Sequence, residues 1–316
     1  MSASKLFDPY KLGNVTLTNR AVMAPLTRMR SRDDTDVPVL PLMAEYYRQR
    51  ASCGLILTEA SPICPEGHGY PRTPGIHTPE QVAGWRKVTD AVHEAGGKIA
   101  IQLWHVGRIS HSSLLPDGAA PVSSTNRIAN TQTYTRDGFV PVSAPRALRD
   151  DELPAVVADY RHAARCAIEA GFDGVEVHAA HGYLLSQFLS PLVNTRTDEW
   201  GGTLEGRARM LLEVVAAIRG AVSPGFAVAV KLNSADFQRG GFDADDARRV
   251  IDLLAPLGVD LVEISGGSYE SPAMTGRPTD DRTAAREAYF LELATDLART
   301  SPIPLMLTGG ISRRET

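Results

Sequence analysis

Seven short apolar runs, each separated from the next by a longer amphipathic stretch, constrain this chain more than any other feature. The runs are Ala21–Pro25, Leu55–Ala60, Ile99–Leu103, Val175–Ala179, Val228–Leu232, Leu261–Ser265 and Leu305–Thr308. Most are near-continuous in apolar residues and bounded by Gly or Pro, as strands buried on both faces should be. Between them, Thr78-Pro79-Glu80 offers an N-cap followed by proline at the first helical position. That predicts a helix over Gln81–Ala95 stopping at Gly96-Gly97, and further helices over Glu152–Ala170 and Arg207–Arg219 ending at Gly171 and Gly220. Strands alternating with helices predict βα units around a parallel sheet. The fold class is therefore α/β, of the (β/α)₈ TIM-barrel type, and 316 residues fit one such domain over 1–316.

Three features modify this frame. Leu12-Gly13-Asn14-Val15-Thr16-Leu17 alternates about a Gly-Asn turn, which predicts a hairpin placed to plug the barrel bottom. The polar, proline-containing segment between Leu103 and Glu152, after the third strand, predicts a lid or binding element. The chain has seven countable strands and no eighth βα unit, so a closed barrel predicts that the natural protein continues past Thr316.

Composition narrows the function classes. Hydrophobic residues at 43% and charged residues at 22% fit a globular enzyme, and a net charge of −4 supplies no basic field for nucleic acid. Cys53, Cys64 and Cys166 form no CxxC pair and are odd in number, which predicts a reducing, cytoplasmic setting. No run approaches ~18 apolar residues, so no membrane span is expected. A homo-oligomer is compatible with all of this.

In a parallel barrel, reactive groups gather at the C-terminal ends of the strands. The fourth strand ends in Glu176-Val177-His178-Ala179-Ala180-His181-Gly182-Tyr183. His178 and His181 cannot face the same way along an unbroken strand, but they converge if the backbone leaves the strand at Ala179–Ala180, a turn that Gly182 permits. Two imidazoles and a phenol then meet over the barrel mouth, suited to holding an oxyanion and delivering a proton. Two other readings remain open on these residues alone: structural histidines, or a zinc pair in a metal-dependent barrel hydrolase. Likewise Lys231 reads as a snorkelling surface side chain, Trp104 as core, Gln102 and Thr27 as ordinary strand-end polar groups, and Thr308-Gly309-Gly310-Ile311 as a common turn.

The surroundings add a resemblance. HAAHGYLLSQFLSP, then Asn194-Thr195-Arg196-Thr197-Asp198-Glu199-Trp200-Gly201-Gly202 and Glu205-Gly206-Arg207, resembles the signature of the old yellow enzyme family. The opening FDPYKLGNVTLTNRAVMAPLTR fits too, and the likeness runs from Leu6-Phe7 to Ile311. KLNSADFQRGGF together with EISGGSYE looks more like the dienoyl-CoA-reductase-like branch, some of whose members carry a C-terminal iron–sulfur region.

The resemblance implies a barrel that binds FMN, takes hydride from NADH or NADPH, and passes it to the β-carbon of an α,β-unsaturated carbonyl or nitro compound. Pro25, Leu26 and Thr27 then match the first-strand segment against the flavin, and Ala60 the small residue beneath its ring. Gln102 matches the amide at the pyrimidine side, Lys231 the cation beside N1 and O2, and Gly309 and Gly310 half of the phosphate loop. Trp104 matches the aromatic wall of the substrate pocket, His178 and His181 the pair on the substrate oxygen, and Tyr183 the proton donor. The resemblance thus makes a small electrophilic alkene the expected partner, with neither nucleic acid nor membrane. The alternatives are the metal-dependent hydrolase and a non-catalytic barrel remnant.

Overall fold

Along a strand, alternate residues face opposite sides, and in this chain the two sides meet different surroundings. The computed structural model describes residues 5–271, 288 and 290–311. Its strands are β1 (Tyr10–Leu12), β2 (Val15–Leu17), β3 (Val22–Met23), β4 (Leu55–Pro62), β5 (Ile99–Trp104), β6 (Val122–Ser123), β7 (Gln132–Thr135), β8 (Gly138–Pro141), β9 (Arg146–Ala147), β10 (Gly174–Ala179), β11 (Ala227–Asn233), β12 (Leu261–Ser265) and β13 (Leu305–Leu307). Seven of these form one sheet in the order β13-β12-β11-β10-β5-β4-β3, every pair parallel.

One side of that sheet packs Ile56, Ile99, Ile101, Val175, Val177, Val228, Val230 and Val262 against the helices. The helices are α1 (Leu42–Arg48), α2 (Pro79–Glu94), α3 (Leu153–Glu169), α4 (Leu184–Leu189), α5 (Leu204–Arg219), α6 (Ala244–Leu254) and α7 (Leu291–Ala298). The other side gathers Leu55 and Leu57 of β4, Ala100 of β5, Ala227 and Ala229 of β11 and Leu261 of β12 around Leu12, Val15 and Leu17 of the β1–β2 hairpin. Residues near opposite ends of the strand order share this cluster, so the sheet is curled, and the hairpin plugs the bottom of its hollow. This is a (β/α) barrel with seven parallel strands among the described residues.

Helix starts follow capping chemistry. Thr78 Oγ1 accepts from Gln81 N–H while the Gln81 side chain accepts from Thr78 N–H, closing a capping box on α2. Thr203 accepts from Gly206 N–H and so starts α5 three residues before the expected Arg207. Gly171 takes the left-handed conformation after α3, at φ +85°. Gly220 does not: with φ −68° it continues the right-handed turn. The first strand is shorter than expected, because it pairs with β4 only at Val22↔Leu55 and Met23↔Ile56, and Pro25 has no N–H to extend the ladder.

The segment between β5 and α3 is more ordered than its composition suggests. It holds the parallel pair β6·β9 and the antiparallel hairpin β7·β8. Between Leu57 and Ala60 the pairing of β4 with β5 slips by one residue, a β-bulge at Thr58-Glu59.

Candidate active site

The backbone leaves β10 after Ala179, and His181 (φ +63°) and Gly182 (φ +79°) both adopt left-handed conformations. That turn brings His178 and His181 to 5.1 Å between ring centroids, and His178 and Tyr183 to 4.9 Å, both edge-on. Ala180 N–H donates to His178 Nδ1 at 3.3 Å, so the ring proton sits on Nε2. His181 is anchored by its own N–H to Asn233 Oδ1 (3.2 Å) and by its Nε2 to Ser265 Oγ (2.7 Å). Burial, followed by the proximity of His181 and Lys231, holds His178 well below the ordinary imidazole range, and burial followed by Lys231 lowers His181 to about 3. Both rings are therefore neutral at physiological pH, each carrying one N–H.

Tyr183 precedes α4 and is buried, its ring edge-on to Trp104 at 5.2 Å. Burial raises its phenol far above the ordinary value, so it is present as a proton-bearing group. Its hydroxyl lies 2.6 Å from Tyr269 Oη, which bonds in turn to Tyr70 Oη. Tyr70 stacks on Trp104 and borders a cleft of about 620 Å³. Trp104 is buried, with its Nε1–H lacking an acceptor among the described residues.

Beneath these rings the hollow carries a polar group. Gln102 Nε2 donates to Glu176 Oε2 at 2.6 Å, and Lys231 Nζ donates to Glu263 Oε1 at 2.6 Å. Lys231 is only 5% exposed, so the reading as a snorkelling surface lysine is wrong. Ala60 is buried beside Trp104 and Tyr183. At the rim, Pro25 is half-buried, Leu26 is 52% exposed and Thr27 is exposed. Gly309 and Gly310, just past β13, have φ of +90° and +69°. All the residues singled out in the sequence thus lie at or near the C-terminal ends of the sheet strands.

Other residues escaped the sequence reading. Glu176 was detectable, since it stands two positions before His178 and must share its face. Glu263, a carboxylate inside an apolar strand, was detectable on the same grounds. Tyr70 and Tyr269 reach the site from separate loops that no local pattern joins. The Tyr269 loop is pinned by Glu270, which pairs with buried Arg108 and accepts from Asn130 N–H. The Asn194–Gly202 signature is structural here: Asn194 bonds the carbonyls of Phe188 and Trp200, and Arg196 bonds the Ser124 and Leu148 carbonyls and pairs with Asp150 and Asp198. No group of three His, Cys, Asp or Glu side chains suited to a metal occurs among the described residues, which leaves the zinc reading of His178 and His181 without further ligands. Among the described residues, no helix is long and apolar enough to cross a membrane.

A parallel barrel that gathers two buried imidazoles and a buried phenol at its strand ends defines the class, an α/β barrel with a polar site on its C-terminal face. Residues 5–315 match the NADH:flavin oxidoreductase / NADH oxidase family, and the chain belongs to that family. It is 50% identical to 12-oxophytodienoate reductase 1 of Oryza sativa subsp. japonica, over 69% of this chain and 56% of that protein. It is 47% identical to a putative 12-oxophytodienoate reductase 2 of the same plant, over 77% of this chain and 63% of that protein. The matches thus span somewhat over half of these relatives. Among solved structures, an old yellow enzyme homologue from Zymomonas mobilis aligns with TM-score 0.84 at 38% identity, covering 98% of this chain and 83% of that one. Morphinone reductase in complex with tetrahydroNAD aligns with TM-score 0.80 at 40% identity, covering 95% and 79%. The old yellow enzyme resemblance holds; these relatives lend no support to the dienoyl-CoA-reductase-like branch.

The residues present fit a flavin. Gln102 and Lys231 bring an amide and a cation into the same hollow from strands on either side of β10, Ala60 is a small residue beside Trp104 and Tyr183, and exposed Leu26 offers an apolar surface. The two left-handed glycines turn the chain where backbone N–H groups can meet a phosphate.

Proposed function

We propose that this protein uses FMN and NADH or NADPH to reduce the C=C bond of α,β-unsaturated carbonyl and nitro compounds. The observation that carries this reading is the convergence of His178, His181 and Tyr183 over the strand ends, with both imidazoles neutral and the phenol protonated. Pro25, Leu26, Thr27, Ala60, Gln102, Lys231, Gly309 and Gly310 would hold FMN, which when bound supplies hydride transfer between the nicotinamide and the alkene. His178 Nε2–H donates to the substrate oxygen, and His181 stands beside it as the second donor. Both bonds strengthen as negative charge grows on that oxygen, so they favour the transition state over the bound substrate. Tyr183 delivers its proton to the α-carbon, and Trp104 walls the pocket and keeps water from the phenol.

Phenols test the oxygen site, because a phenolate mimics the substrate oxygen and stacks on flavin with a charge-transfer absorbance. Replacing both His178 and His181 by Ala should weaken phenol binding at least tenfold, on the scale of two lost hydrogen bonds to a charged oxygen at roughly 1.5 kcal/mol or more each. Unchanged phenol affinity in flavin-loaded protein would overturn the assignment.

A further inference from the structure

Two carboxyl groups lie in the hollow beneath the histidines, and no step proposed above uses them. Glu176 is 0% and Glu263 1% exposed. They sit on β10 and β12, the strands on either side of β11, which carries Lys231. Lys231 is the direct strand neighbour of Glu263, and Gln102 that of Glu176, so each carboxyl has one cross-strand partner. The partners differ in kind: Glu263 Oε1 receives a bond from an ammonium, Glu176 Oε2 from a neutral amide.

Counting bonds and charges exposes a problem. With both carboxyls ionised, Glu176 Oε1 and Glu263 Oε2 have no donor among the described residues. The cluster would also carry two negative charges against one positive, away from water, which is costly for any uncompensated ion. One proton solves both. Placed on Glu176 and donated to Glu263, it satisfies the two bare oxygens together and leaves one carboxylate facing one ammonium. The two carboxyls face the same hollow from the strands flanking β11 and stand near enough for each to act on the other's charge.

The surroundings agree on where the proton rests. Around the pair stand Gln102 from β5, His178 from β10, Lys231 from β11 and Thr308 just after β13. His178 is neutral, as shown above, and the Glu59 carboxyl of β4 accepts from the Arg28 and Met29 N–H groups instead. Among the described residues Lys231 is therefore the cation of the group, and it is bonded to Glu263. Burial and the Glu263 charge push Glu176 well above the ordinary carboxylate range, while Lys231 draws Glu263 below it.

We infer that Glu176 and Glu263 hold one proton between them, making a neutral cluster with Lys231 that fixes the charge presented to the flavin from below. This rests on the proposed flavin site for its consequence, though not for the shared proton itself. The two glutamates are positioning residues. If Lys231 faced the flavin edge with two anions behind it, its charge would be more than cancelled. With one shared proton it is balanced, and its remaining N–H groups are free to point upward.

The shared proton makes a prediction that independent carboxyls do not. In Glu176→Gln, Glu263 remains the single carboxylate against Lys231. In Glu263→Gln, Glu176 loses its anionic neighbour and ionises against Lys231, so the net charge is again zero. Each single variant should therefore leave the flavin reduction potential near that of the unmodified protein. The double Glu176→Gln/Glu263→Gln variant, with Lys231 uncompensated, should raise it. Infrared spectra of the full chain in H₂O and D₂O supply the second measurement. They are taken at about pH 9, where the other carboxyls that burial raises, Glu59 (about 7), Asp36 (about 6) and the less shifted Asp159, Asp236 and Asp246, are ionised. The unmodified protein should show a protonated carboxyl band that shifts in D₂O and vanishes in both single variants. No such band in the unmodified protein would overturn the inference, whether or not any variant folds. So would a Glu176→Gln shift in potential as large as that of the double variant. A protein that takes up no flavin fails the proposed function, while the infrared arm still decides the shared proton.

Discussion

Glu59 offers the most direct test of how burial sets charge in this fold. Its side chain is fully buried in β4, its Oε2 accepts from Arg28 N–H (2.8 Å) and Met29 N–H (3.2 Å), and its Oε1 has no donor among the described residues. Burial outweighs those two bonds and raises its pKa from 4.5 to about 7. Below pH 4.5 the group is protonated whether the chain is folded or not, and it costs nothing. Between 4.5 and 7 the unfolded chain ionises while the folded one holds its proton, so stability falls as pH rises and levels off above 7. At roughly 1.4 kcal/mol per pH unit, the displacement amounts to about 3 kcal/mol. Glu59→Gln keeps an oxygen for both backbone N–H groups and cannot ionise. The difference in unfolding free energy, variant minus unmodified protein, should therefore grow by about 3 kcal/mol in the variant's favour between pH 4 and pH 8, read from urea titrations. A difference that stays flat across that range would refute the argument, because it would mean that the buried carboxyl ionises as it does in water.

Three further outcomes follow from the site and the core. Tyr183→Phe should leave flavin reduction by NADH or NADPH near normal and slow reoxidation by an enone by about 10²-fold, a general acid's share; stopped-flow traces in which both halves slow equally would count against the role. Tyr269→Phe removes the hydroxyl 2.6 Å from Tyr183 Oη and should slow the same half-reaction by about tenfold, on the scale of one hydrogen bond to a developing phenolate, while leaving the reductive half alone. Leu57→Ala, in the cluster around the bottom hairpin, should cost about 2–5 kcal/mol in a urea titration. A loss below 1 kcal/mol would mean that the hairpin is not a packed plug.

Much of the frame was legible because burial on two faces leaves an unmistakable mark on a strand. Leu261–Ser265 came out with the expected ends, and the other sheet strands within one or two residues of theirs. What sequence reasoning could not supply was the direction of curl, which decides the face that becomes the hollow. Gln102, Glu176, Lys231 and Glu263 are single polar residues within apolar strands, and only the curl turns them toward one another. The small strands β6 to β9 were missed because two to four residues carry too little periodicity to register. The histidine turn was legible because Gly182 marks it. Tyr70 and Tyr269 were not, since a contact across 199 residues is made by tertiary packing alone.

The slip in β4 acts as a parity switch. Before it, Leu55 and Leu57 point into the hollow; with unbroken alternation, Glu59 would be the next residue to do so. One extra residue in the pairing inverts the count, so Ala60 faces Trp104 and Tyr183 while the Glu59 carboxylate is turned toward the Arg28–Met29 backbone. Were the extra residue drawn into regular pairing, odd would replace even from there to Pro62. A buried acid would then stand where the site now has a methyl group. The shape of the floor is thus encoded by how many residues β4 has as much as by which ones.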